Sequence, residues 1–138
     1  MVFISSVSGT EADNLCNLSK VTDFISKQRE IALLYHAMLN QLPLQFPEPS
    51  PAVAYNYAYF PILFPSEEKM LSIKTALADA GVHTRRYFHP SLNQLPYLWG
   101  AACPIAEDVS GRVLCLPFYY ELSLADAQMI AQLIVRHY

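Results

Sequence analysis

Ten prolines set the limits on regular structure in this chain of 138 residues. Each removes a backbone donor and fixes φ, so it ends a helix or sits at the margin of a sheet. Pro43, Pro47, Pro49 and Pro51 fall close together and predict an extended connector without regular structure. Ahead of them, Phe24, Ile31, Leu34, Tyr35 and Met38 recur at helical spacing. Thr22 or Asp23 is expected to cap that helix, which runs to about Gln41. Beyond the connector, the aromatic and apolar run from Ala54 to Phe64 reads as a strand. Alternation puts Tyr55, Tyr57 and Tyr59 on one face, either as core with wet rims or as a row that stacks on a sugar or base. Tyr119 and Tyr120 take the same pair of readings. Pro61 cannot donate to a ladder and marks an edge or a bulge.

Pro65-Ser66-Glu67-Glu68 combines a hydroxyl cap with two acids where the helix dipole favours them. Met70, Ile73, Leu77 and Ala80 supply the buried stripe of this helix, and Gly81 stops it. A short strand from Val82 to Phe88 follows, then an irregular loop through Pro96. Pro104 opens a short helix to about Val109. Val113 to Leu116 reads as a buried strand. Ser123 and Asp126 resemble a capping box, and Ile130, Leu133 and Ile134 form the inner face of the last helix. Three short strands with helices packed on them predict a two-layer α/β (α+β) unit. Residues 1–20 read as a loose lead-in or remnant, residues 21–138 as the folded unit, and no internal repeat is found.

Net charge is −3, from 9 basic and 12 acidic residues, and Arg85-Arg86 is the densest basic cluster. That excludes a nucleic-acid footprint, which needs a basic patch to displace counterions. The longest apolar stretch, Ala52 to Phe64, is interrupted by Asn56 and Pro61 and falls short of the ~20 residues of a spanning helix, so no membrane partner is expected. The first residues lack the positive start and apolar length of a signal peptide. Cys16, Cys103 and Cys115 form no CxxC and no metal spacing, which points to reduced thiols in the cytoplasm. Cys103 and Cys115 read as small buried hydrophobes. Charged residues make up 15% of the chain, against about a quarter in an ordinary domain. Part of the surface is therefore expected to be covered by a partner. Only four glycines are present, and no GxGxxG, Walker or GxSxG motif occurs. His83 and His89 lie six apart and make a poor metal pair.

Functional side chains concentrate between Thr84 and Gln94. In a strand Arg85, Tyr87 and His89 share one face, and Arg86 and Phe88 the other. Arginine forks, a phenol and an imidazole make a wall for an anionic, polyhydroxylated ligand. The competing reading pairs the arginines with acids such as Glu107 or Asp108.

From about Asp23 to its end, the chain resembles the C-terminal small domain of the DegT/DnrJ/EryC1/StrS family of pyridoxal-phosphate-dependent sugar aminotransferases. Four blocks carry the likeness in order: Arg29-Glu30-Ile31-Ala32-Leu33-Leu34-Tyr35; Tyr57-Ala58-Tyr59-Phe60-Pro61-Ile62; Leu77 through Gly81 to Thr84-Arg85-Arg86-Tyr87-Phe88; and Pro104-Ile105-Ala106-Glu107 with Arg112-Val113-Leu114-Cys115-Leu116-Pro117. The resemblance implies the small domain of a fold-type I aminotransferase, with a short three-stranded sheet flanked by helices. It implies transamination from an amino acid, glutamate in the family's chemistry, to a nucleotide-linked keto-deoxysugar, with the cofactor as electron sink. By the same resemblance Arg85, Arg86, Tyr87, His89 and Asn93 are the candidate substrate-binding residues. Asn93 stands in for a histidine found in many members after the proline matching Pro90.

The family's Schiff-base lysine belongs to a large domain that precedes this region. Lys20, Lys27, Lys69 and Lys74 do not match its motif. The chain alone is therefore expected to bind no pyridoxal phosphate covalently, to contribute no catalytic residue and to be inactive, as an excised piece, a truncated product or half of a split enzyme. The alternative is a non-catalytic remnant that pairs with itself as a homodimer, or with an intact aminotransferase, through the face left by the large domain.

Overall fold

The computed structural model describes residues 18–48, 52–98 and 100–138. The lead-in, apart from its last three residues, lies outside them, as do Cys16, Pro49 and Pro51. Among the described residues, four helices and two strands follow in order: α1 (Val21–Leu39), β1 (Pro61–Leu63), α2 (Glu67–Asp79), α3 (Pro104–Arg112), β2 (Val113–Cys115) and α4 (Leu124–His137). A 3-10 turn spans Leu92–Gln94.

The helices form where the apolar spacing predicts them. Ile31, Ala32, Tyr35 and Leu39 of α1 are buried, with Leu34 and Met38 packed beside them. Thr22 and Asp23 lie inside the first turn of α1 and cap nothing, because helical backbone already occupies Lys20. Ser66 caps α2 by accepting from the Lys69 N–H at 3.2 Å. Met70, Ile73 and Leu77 are buried, whereas Ala80 is exposed just past the helix. Gly81 closes α2 at φ +79°, and the Val82 N–H returns to the Leu77 carbonyl at 2.8 Å. Its positive φ is the left-handed turn that glycine adopts at no steric cost. In α4 Ile130 and Ile134 are buried and Leu133 packs against the core.

β1 and β2 pair antiparallel, Pro61 opposite Cys115, Ile62 opposite Leu114 and Leu63 opposite Val113. The inner face, Phe60, Ile62, Phe64, Leu114 and Leu116, is buried with the inward stripes of α1, α2 and α4. The Tyr35 hydroxyl donates to the Pro117 carbonyl at 3.0 Å, tying α1 to the chain beyond β2. The Leu116 N–H bonds the Phe60 carbonyl, and the Phe64 N–H bonds the Arg112 carbonyl. The backbone of the even-numbered residues of β1 thus bonds β2, and the nitrogen of Pro61 points to the opposite edge, where Leu63 exchanges both backbone bonds with Gln45 at 3.0 Å, so the missing proton removes no bond to β2.

Two expected strands are shorter than predicted. Of the run from Ala54 to Phe64, only Pro61–Leu63 joins a ladder. Tyr57 adopts φ +50°, and the Asn56 side-chain oxygen accepts from the Ala58 N–H at 3.1 Å. This local turn replaces alternation, so the tyrosines share no common face: Tyr55 meets Tyr57, and Tyr59 meets Tyr87. The third strand, Val82 to Phe88, is reduced to one bridge in which Arg85 and Cys115 exchange both backbone bonds, at 2.9 and 3.2 Å. The small helix-flanked sheet stands, with two strands and two single bridges, Arg85–Cys115 and Gln45–Leu63, among the described residues in place of three strands. Cys115 is buried as expected, but Cys103 is exposed, because it sits at the free N-terminal end of α3. Tyr119 and Tyr120 are also exposed, although Tyr120 meets the Phe24 ring at 4.6 Å.

Candidate functional site

The outer face of the sheet is the open one. Pro61, Val113 and Cys115 form its floor, Ala106 and Val109 of α3 line one side, and the chain from Tyr87 to Asn93 lines the other. Together they enclose a groove of about 590 Å³. A second hollow of about 240 Å³ shares Tyr59, Tyr87 and Cys115 with it and adds Arg85, His83 and Tyr119. Burial pushes the Cys115 thiol up to about 11.

The wall residues separate into two groups. Arg85 donates from Nη1 to the Tyr87 hydroxyl at 3.4 Å, and the Tyr87 ring meets Tyr59 at 5.2 Å between centroids. Arg85 is exposed and Tyr87 half-buried, both at the smaller hollow. Arg86 points elsewhere. Its Nη2 lies 2.7 Å from Glu67 Oε1, 2.7 Å from the Gly111 carbonyl and 3.2 Å from His89 Nδ1. Two protons serve three acceptors there. A guanidinium that is always charged can only donate, so His89 Nδ1 faces it as an acceptor.

Alternation predicted His89 beside Arg85 and Tyr87, but the structure brings it to Arg86. Phe88 sits at φ +58° and turns the chain, so the period of two ends at Tyr87. The expected arginine–acid pairing is real, but its partner differs. Arg86 takes Glu67 of α2. Asp108 pairs with Arg112 one turn along α3 at 2.6 Å, which holds its carboxyl below the usual carboxylate range. Glu107 accepts from the Cys103 N–H at 2.9 Å and from Asn93 Nδ2 at 2.6 Å, and these two bonds lower its pKa in that order.

Asn93 is half-buried and bonded on both sides of its amide, with Ser91 Oγ donating to its oxygen at 2.6 Å. Ser91 and Glu107 were not among the candidate binding residues, whereas Tyr59 was, as part of a stacking row that does not form. Glu107 carried a signal, since a first-turn acid commonly reaches back to the N–H groups that open its helix. Ser91 carried none.

None of the four lysines lines either hollow. Lys69 Nζ donates to the carbonyls of His137 and Tyr138 and sits 4.6 Å from the Tyr138 ring centroid. Lys27 lies 3.8 Å from Glu30 on α1. Among the described residues no group of three or more His, Cys, Asp or Glu is placed to hold a metal, and no helix is long and apolar enough to cross a membrane.

Residues 12–135 match the DegT/DnrJ/EryC1/StrS aminotransferase family. A GDP-perosamine synthase of Escherichia coli O157:H7 is 33% identical over 129 residues, which cover 92% of this chain and 35% of that protein. A dTDP-4-amino-4,6-dideoxy-D-glucose transaminase of Escherichia coli is 31% identical over 134 residues, covering 90% and 36%. Among solved structures, the aminotransferase TlmJ from Streptoalloteichus hindustanus superposes with a TM-score of 0.76 at 26% identity, over 87% of this chain and 33% of that one. The chain spans about a third of the length of the curated relatives it matches.

Proposed function

This chain belongs to the DegT/DnrJ/EryC1/StrS aminotransferase family, and from that premise we propose that it serves as the small C-terminal domain of a nucleotide-sugar aminotransferase. Its part is to close one wall of the sugar-nucleotide site. The observation that carries this reading is the juxtaposition of Arg85, Tyr87 and Tyr59 at the open hollow. A guanidinium suits a pyrophosphate, a phenol suits a sugar hydroxyl, and an aromatic face suits a base or a pyranose ring. Asn93 lines the larger groove that Tyr59 and Tyr87 also border, while Arg86 and His89 bond each other away from both hollows. The names of the relatives, which refer to GDP- and dTDP-linked sugars, support the substrate class.

Pyridoxal phosphate does not fit the residues described. No lysine lines either hollow, so the described residues offer no amine there for a Schiff base. The reading assigns that lysine, and the chemistry of amino transfer from glutamate, to polypeptide other than these residues. It also places the protein in the cytoplasm, where thiols stay reduced.

The test is titration of the isotope-labelled chain with dTDP-glucose, followed by NMR. Signals of Arg85, Tyr87 and Tyr59 are expected to move, and Arg85→Ala is expected to weaken binding about tenfold, the loss of one charge-assisted contact. Shifts confined to other faces would refute the wall. In parallel, pyridoxal phosphate with borohydride is expected to trap no specific adduct that supports amino exchange.

A second reading has its own observation. Phe88 is 74% exposed and Ile105 81% exposed at the margins of the open face, with Leu92 and Tyr97 nearby in sequence. On this reading the chain is a pairing module, binding a second copy or an intact aminotransferase through that face.

A further inference from the structure

Asn93 lies where the resemblance suggested a sugar-binding side chain, yet its hydrogen bonds run inward. An asparagine amide has two donor protons and two acceptor lone pairs. One proton goes to Glu107 Oε1 at 2.6 Å and the other to the Ala101 carbonyl at 3.3 Å. Its oxygen already accepts from Ser91 Oγ, on a serine that is itself buried. Both donors and one lone pair are therefore committed, and a single acceptor site remains.

The carboxylate that receives Asn93 is anchored in turn. Glu107 Oε1 also takes the Cys103 N–H, so one oxygen ties the 3-10 turn at Leu92–Gln94 to the first turn of α3. The backbone passes so close that a Cβ at Gly100 would lie 3.0 Å from Asn93 Cβ and 3.2 Å from Asn93 Cα. The chain from Ser91 to Glu107 is thus drawn together by hydrogen bonds and by a position that admits only glycine without displacement. Asn93, Cys103 and Ser91 all line the larger groove.

We infer that Asn93 and Glu107 act as a clasp that positions the groove wall, and that Asn93 offers a bound sugar nucleotide an acceptor and no donor. Glu107 is then the second positioning residue of the wall, acting through Asn93 and Cys103 without touching the ligand. The ligand clause rests on the sugar-nucleotide reading above, with the ligand reaching from the smaller hollow past Tyr59 and Tyr87, which border both, into the groove that Asn93 lines, while the clasp is decided without any ligand.

The experiment follows the Cys103 backbone amide and the Asn93 side-chain amide by NMR and hydrogen exchange in the full chain. Glu107→Ala is expected to shift both signals and to speed Cys103 exchange by about tenfold or more, as a local opening does. Glu107→Gln keeps an acceptor oxygen of the same reach and is expected to restore both toward the parent. Gly100→Ala, which leaves every bonded group in place, is expected to disturb the same signals by pushing the chain off Asn93. Unchanged signals in Glu107→Ala, or equal loss in Glu107→Gln, would overturn the clasp.

With dTDP-glucose as the probe, the Asn93 amide protons are expected to stay pinned while neighbouring wall signals move. Movement of those protons together with release of the Cys103 amide would overturn the acceptor-only assignment. If the parent chain binds no dTDP-glucose, the proposed function fails, and the amide readouts still decide the clasp.

Discussion

Cys103 and Cys115 line one groove but differ in exposure. The thiolate is the reactive form of cysteine, and its availability follows pKa and exposure together. Cys115 is 8% exposed and its thiol is pushed up to about 11, whereas Cys103 is exposed at the start of α3. Alkylation of the native chain with iodoacetamide at pH 8, read by peptide mapping, is expected to label Cys103 at least about tenfold faster than Cys115. Equal rates would mean that the floor of the groove opens freely. Apolar neighbours make the two thiols read alike in sequence, but neighbours along a chain do not report that one lies in a strand under the groove and the other at the exposed start of a helix. Single residues also redirected the site. Phe88 at φ +58° sends His89 to Arg86, and Tyr57 at φ +50° breaks the tyrosine row. Neither conformation is marked by a glycine, so neither was visible in the residue types.

The helices obeyed their local signals closely. α4 begins at Ser123, whose Oγ accepts from the Asp126 N–H at 3.0 Å and donates to the Asp126 carboxylate at 2.6 Å. Ser123→Ala removes that cap and is expected to destabilise the chain by about 1 kcal/mol, read as a lower midpoint in urea with an unchanged m-value. No change in midpoint would show that the helix start is held by packing alone. The reason α4 matters is its position, since it packs against both α1 and α2. The strands obeyed less well. A helix closes its hydrogen bonds within itself, so spacing and caps suffice to place it. A strand needs a neighbour, and Ala54–Phe60 has strand-like residues without a ladder partner. Val82–Phe88 fails for the same reason beyond Arg85.

At the scale of the molecule, one face of the sheet is sealed by three helices and the other is half covered by α3. The low charge content predicts a surface partly covered by a partner, and Phe88 beside the groove and Ile105 on α3 are exposed apolar side chains. Exposed apolar surface of this kind favours association. If the pairing reading holds, the elution volume in size-exclusion chromatography is expected to fall as protein concentration rises, and Ile105→Glu is expected to restore the monomer. A concentration-independent monomer would remove that reading and leave the nucleotide-sugar wall untouched. Residue order by itself determined where the four described helices lie, the serine caps of α2 and α4, most of the buried stripes of α1, α2 and α4, and the family, because these depend on contacts within a few residues or on motifs read in series. Only the tertiary structure decided which wall residues face the open hollow and which are tied inward. Arg86 meets Glu67, and Asn93 meets Glu107, across separations that no local period encodes. Those partners are chosen by how the helices close around the sheet.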